Sequence, residues 1–197
     1  MVCLTVRGVH FQPVSYFGAY PKTPTDCQRI TLPEVIREIQ EQTGRLLTID
    51  QFAPSGCDHA RCGFHGDFVV MPDAKLQSLP PKNTACCSNK QESNGIAMQK
   101  NRNFEARRWE IRPKQTIQHQ TVAGEGMGEW ENFIDRVRTH GFSVTGMAFQ
   151  DCWTIDLERL RECSLHVLSP AGKVIPFCAY YLSDITGNSI YKQRGHV

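Results

Sequence analysis

Net charge is nearly absent from this chain. Its 22 basic and 20 acidic side chains leave +2 over 197 residues, too little to imply nucleic acid or an anionic membrane surface as partner. Long apolar runs are absent too, and no stretch approaches the about 18 residues of a membrane helix. The opening residues, Met1-Val-Cys-Leu-Thr-Val-Arg-Gly-Val-His10, lack a charged segment followed by a long apolar one. No signal peptide is read there, and the expected location is the cytoplasm. Low-complexity tracts and strict repeats are also missing. Hydrophobic residues make up 40% of the chain, enough for one sizeable core or two small ones.

Cysteine is what the chain does have. Its nine cysteines cannot all pair with one another. In a reducing compartment clustered cysteines more often bind metal or perform catalysis than form disulfides. Cys3, Cys27 and Cys152 stand alone among apolar or loop residues and read as small buried hydrophobes. The other six fall into two groups. The first is Cys57-x4-Cys62, with His59 and His65 nearby and Cys86-Cys87 further on. Thiolates and imidazoles suit iron and zinc, and Gly56, Gly63 and Gly66 let the backbone turn tightly around a bound group. The spacing of four is wider than a zinc knuckle and suits a larger iron–sulfur cluster, although the zinc range permits it. The second group is Cys163-Ser-Leu-His166, a turn at Gly172, then Cys178. Two cysteines at the open ends of paired strands, about 5 Å apart, can point at one site. His166 reads more readily as structural than as a ligand.

The elements expected around these groups are few. Residues 2–17 read as extended chain. Thr31-Leu-Pro-Glu34 is a capping box that starts a helix, with Leu32, Val35, Ile36 and Ile39 on one stripe and Gly44 at its end. Residues 68–79 read as a hairpin, and 88–103 as a linker. A second helix spans 129–140, with Trp130, Phe133, Ile134 and Val137 as its packing stripe. A third covers about 156–163, with Asp156 as N-cap. A second hairpin runs from Leu165 through Ser169-Pro-Ala-Gly172 to Leu182. Other chemistry is weakly supported. No cysteine has an obvious orienting partner for nucleophilic catalysis. Gly124, Gly126 and Gly128 do not form a dinucleotide fingerprint. Asp151, Asp156 and Glu158 fit a helix start, and Arg102, Arg107, Arg108 and Arg112 a solvated face. Trp109 and Trp153 read as core.

Four stretches carry a family likeness: Val-Arg-Gly-Val-His-Phe-Gln-Pro-Val-Ser-Tyr-Phe-Gly (6–18), Pro-Ser-Gly-Cys-Asp-His-Ala-Arg-Cys-Gly-Phe-His-Gly (54–66), Ser-Val-Thr-Gly-Met-Ala-Phe-Gln-Asp (143–151) and the hairpin from Cys163 to Leu182. Together they resemble the C-terminal part of a radical S-adenosylmethionine (radical SAM) family. The subfamily is the one related to tetraether lipid synthases, which includes proteins described as radical SAM (seleno)proteins. The resemblance implies an α+β chain. Residues 1–50 would end a partial β/α barrel, and 51–197 would form a Cys-rich auxiliary-cluster extension of hairpins and short helices. An apolar surface at 1–17 and 32–39 would then be exposed where the barrel packs.

The same resemblance makes Cys57, Cys62, Cys163 and Cys178 the leading ligands. Cys86 or Cys87 comes next, and His59 lies inside the matching motif. The implied occupant is an iron–sulfur cluster of the 4Fe-4S type, with mononuclear iron or zinc as other candidates. The Cys-x3-Cys-x2-Cys triplet of radical SAM enzymes is absent. Cleavage of SAM is therefore expected only with a radical SAM core supplied from elsewhere, as a separate chain or a deleted segment, and this chain alone is expected to be inactive. A zinc-stabilised structural module is the alternative reading.

Overall fold

A computed structural model of the chain describes residues 6–18, 24–54, 59–79, 99, 102–103, 106, 127–184 and 186–191. It is mixed α/β. In chain order the elements are β1 (Gly8–Phe11), α1 (Leu32–Gln42), β2 (Ala53–Pro54), β3 (Gly63–Val70), β4 (Leu76–Leu79), α2 (Met127–Thr139), β5 (Gly141–Met147), α3 (Leu157–Arg161), β6 (His166–Leu168), β7 (Val174–Pro176) and α4 (Phe177–Tyr181). One sheet has the order β1-β5-β3-β2, with β4 also paired to β3, and β6 and β7 form a separate hairpin. No helix among the described residues is long and apolar enough to cross a membrane.

The chain divides into two compact units, residues 1–9 with 66–143 and residues 10–65 with 144–197. In the first, β3 and β4 are antiparallel, with Asp67 opposite Leu79 and Val70 opposite Leu76. Phe68 and Val69 are fully buried. Two arginines fasten the end of α2. Arg136 Nε donates to the Val70 carbonyl at 2.7 Å, and Arg7 donates to the Thr139 carbonyl at 2.7 Å, where the negative end of the helix dipole favours a cation. The Val70 N–H completes the junction by donating to the His140 carbonyl. Of the expected α2 stripe, Trp130 and Ile134 are exposed, while Phe133 and Val137 are half-buried.

In the second unit α1 begins as the capping box requires, with the Thr31 N–H and hydroxyl both donating to Glu34 at 2.7 Å. Its Leu32, Val35 and Ile39 are buried. This corrects the expectation of an apolar surface exposed over 32–39, because the stripe already has a core within this chain. Val6, Val9 and Val14 are exposed. The second hairpin pairs His166 with Pro176 and Leu168 with Val174. Its turn is closed by Gly172 at φ +72°, a conformation glycine adopts without strain. Beyond Pro176 the chain departs from the expected strand. After one further ladder bond, from Phe177 N–H to the Leu165 carbonyl, it coils into α4. Phe177 and Tyr181, four residues apart, then share a helix face. Their rings lie 4.6 Å apart, and Phe149 stacks 4.8 Å from Phe177.

Strand β5 is a further departure, since it covers most of the 143–151 motif, for which the sequence reading gives no strand. Its Gly146 lies against the ring of Phe64, so that any Cβ there would collide with that ring. Gly146→Ala should therefore lower unfolding stability by about 1–3 kcal/mol, the usual penalty for overpacking. Urea denaturation measures this, and adding Phe64→Leu should recover part of the loss.

Candidate metal centre

The second unit contains three of the expected cysteines, Cys62, Cys163 and Cys178, and the last is within electrostatic reach of the other two. Cys62 closes a tight turn, its N–H donating to the His59 carbonyl at 2.8 Å, and its own carbonyl accepts from the Ala148 N–H at 2.9 Å. With both backbone groups engaged, its sulfur is aimed. That sulfur accepts two hydrogen bonds from Arg159, from Nε at 3.4 Å and Nη2 at 3.3 Å. Arg159 Nη2 also donates to the Ala148 carbonyl at 3.0 Å. Cys178 is buried in the first turn of α4, and its sulfur accepts the Gln150 N–H at 3.3 Å. Burial pushes the Cys178 thiol up. The Gln150 N–H opposes this rise, negative charge on Cys163 and Cys62 adds to it, and the Arg159 charge opposes it. Cys178 is thus within electrostatic reach of Cys163, Cys62 and the Arg159 guanidinium. Cys163 is half-buried, and its Sγ donates to the Leu165 carbonyl at 3.1 Å.

Helix α3 carries Arg159 and is itself tightly held. The Asp156 carboxylate caps it by accepting from the N–H groups of Glu158 and Arg159 at 3.0 and 3.3 Å. These bonds, the Arg159 N–H foremost, together with the Arg61 charge hold the Asp156 carboxyl below its ordinary value. Arg61 binds the other Asp156 oxygen at 2.9 Å and Glu158 at 3.4 Å. Gln150, just 2% exposed, accepts the Asp156 N–H at 2.6 Å on its side-chain oxygen. It therefore joins the cap of α3 to the sulfur of Cys178.

The remaining expected residues are placed differently. His59 Nε2 lies 3.7 Å from Glu162 and its Nδ1 accepts the Arg61 N–H. His65 lies in β3 opposite Ala53, and His166 is exposed on β6. Cys27 is exposed rather than buried, and Cys152 is half-buried. Cys57, Cys86 and Cys87 lie outside the described residues. Among the described residues no three His, Cys, Asp or Glu side chains are grouped for a single ion. The donor chemistry nevertheless fits a thiolate-bound group. Backbone and guanidinium N–H groups aimed at sulfur stabilise the anionic ligand, and Cys62 and Cys178 both receive them.

Sequence reasoning missed Arg159, Gln150, Asp151 and Arg29. Asp151 is not a helix-start residue. It is 1% exposed, and its carboxylate accepts from Tyr16 N–H at 2.9 Å, Arg29 at 3.1 and 3.4 Å, Trp153 N–H at 3.1 Å and the Thr154 hydroxyl at 3.0 Å. Arg29 also lies 4.9 Å from the centre of the Tyr16 ring and 5.9 Å from that of Trp153. Trp153 is thus a partly exposed stacking partner and not core. Burial pushes the Asp151 carboxyl up, but the Tyr16 N–H, Arg29 and Thr154 outweigh it and leave the acid stronger than usual.

A folded-state value below the unfolded one, about 3.9 for aspartate, means that ionised Asp151 stabilises the fold. That contribution is complete above the unfolded value and is lost as pH falls through the folded one. Asp151→Asn should cost about 3 kcal/mol at neutral pH, since it leaves Arg29 unpaired. It should also flatten the acid limb of stability against pH, as measured by urea unfolding at a series of pH values.

No protein-family model matches the chain. It is similar to 7,8-dihydro-6-hydroxymethylpterin dimethyltransferase of Methanocaldococcus jannaschii, with 22% identity over an alignment of 238 residues that covers 96% of this chain and 43% of that protein. The chain spans less than half the length of this relative. The likeness agrees with a distant radical SAM relationship and does not reach the level of a subfamily.

Proposed function

We propose that the chain is the auxiliary metal-binding part of a radical SAM protein of the tetraether lipid synthase-related subfamily, and that it holds an iron–sulfur cluster through Cys62, Cys163 and Cys178, with Cys57, Cys86 or Cys87 completing the set. On this reading residues 1–50 end a partial barrel and 51–197 form the cluster-binding extension. One observation carries it. The sulfurs of Cys62 and Cys178 accept N–H hydrogen bonds, and Cys178 lies within electrostatic reach of Cys62 and Cys163. Iron–sulfur clusters are tuned by such bonds and by burial. The likeness to the pterin dimethyltransferase supports the same class.

A bound cluster would supply electron transfer or a Lewis-acidic iron for anchoring a substrate. The chain's own residues would supply the rest. Cys178 is buried, which limits access of water to its sulfur. Gln150 and Arg159 direct N–H groups at two sulfurs. Asp156 and Arg61 fix the helix from which Arg159 reaches. Cleavage of SAM would belong to a core bearing the Cys-x3-Cys-x2-Cys triplet that this sequence lacks.

Anaerobic reconstitution with iron and sulfide tests the proposal. A brown protein is expected, with charge-transfer absorption that bleaches on reduction. Cys62→Ala, Cys163→Ala and Cys178→Ala should each lower bound iron, and full retention in one of them removes that residue from the ligand set. A colourless chain that takes up stoichiometric zinc and no iron would establish the zinc-stabilised module instead.

A further inference from the structure

We propose that Arg159 is a positioning residue that sets the charge around the Cys62 sulfur and thereby raises the reduction potential of the centre this sulfur holds. The inference rests on the cluster-binding reading above and goes beyond it, because it assigns a tuning role to a residue that is no ligand.

The geometry is a closed ring of three residues. The Cys62 carbonyl accepts the Ala148 N–H, the Ala148 carbonyl accepts Arg159 Nη2, and Arg159 Nη2 and Nε both reach the Cys62 sulfur. The guanidinium therefore cannot turn toward solvent without breaking a backbone contact as well. Its origin is equally constrained, since α3 is capped by Asp156 and tied down by Arg61.

The charge on Arg159 is felt by the Asp156 carboxylate but is not held in a direct ion pair. The nearby carboxylates Asp156 and Glu158 are taken by Arg61, and among the described residues Arg159 makes no ion pair. A surface arginine would normally meet a carboxylate, and this one meets a sulfur. Guanidinium is permanently charged and offers several donors in a rigid fork. Lysine could supply the charge without the two-point grip. Positive charge and N–H···S bonds stabilise the more negative, reduced state of a thiolate-bound centre over its oxidised state. The centre is therefore easier to reduce with Arg159 in place than without it.

The test uses the full chain, reconstituted anaerobically with iron and sulfide as wild type, Arg159→Gln and Arg159→Lys. Iron per chain is measured first, and the midpoint potential is then followed in a dithionite titration by visible absorption and electron paramagnetic resonance. Far-ultraviolet circular dichroism monitors the fold. The expected result is a midpoint in Arg159→Gln that is more negative than in wild type, with Arg159→Lys between the two. A merely structural role would not produce that order. Equal midpoints in all three proteins would overturn the inference and leave the cluster-binding reading intact. A wild-type chain that takes zinc and no iron would overturn both.

Discussion

Two consecutive side chains shut away from solvent, Gln150 and Asp151, hold the second unit together. A buried carboxylate persists as a charge only where hydrogen bonds and a counter-ion replace water. Asp151 has five such bonds from four residues, two of which, Tyr16 and Arg29, come from more than a hundred residues earlier in the chain. Gln150 does the corresponding work on the side of the sulfurs. Its backbone N–H meets Cys178 and its side-chain oxygen meets the N-cap of α3. One dipeptide thus fixes the N-terminal arm, the short helix that carries Arg159, and one of the candidate ligands.

Three arginines divide the electrostatic tasks of this unit. Arg29 neutralises the buried Asp151 and stacks on Tyr16 and Trp153. Arg61 occupies the two acidic groups at the start of α3. Arg159, whose nearest acids are already engaged, is left to Cys62. A thiolate-rich site accumulates negative charge, which its surroundings must offset, and Cys163 and Cys62 add to the rise that burial causes in the Cys178 thiol.

Features encoded by neighbouring residues were legible in the sequence. The capping box at Thr31, the N-cap at Asp156 and the glycine turn at 172 each depend on residues within four positions, and each is found where its chemistry places it. Cysteine spacing and family likeness marked Cys62, Cys163 and Cys178 as ligand candidates but in two separate groups, and nothing in the sequence says whether those groups share one centre. Illegible features were those made by distant partners. Nothing local marks Arg159 as the neighbour of Cys62, which lies 97 residues away. Nothing local separates Asp151 from an ordinary helix-start acid either. The one available signal is the polar pair Gln150-Asp151 directly after the apolar run Met147-Ala-Phe149, a place where polar side chains require partners. Strand β5 was overlooked because it follows α2 with no intervening turn residues. The helix α4 was read as strand because the i, i+4 ring pair that favours it sits directly after a hairpin.

The central claim is that Cys62, Cys163 and Cys178 serve one metal centre. Anomalous diffraction at the iron edge from anaerobically grown crystals of the reconstituted chain tests it most directly. The account predicts one compact iron peak within bonding distance of all three sulfurs. Iron bound by only one of the three, or no iron beside a folded and fully metal-free site, would contradict it.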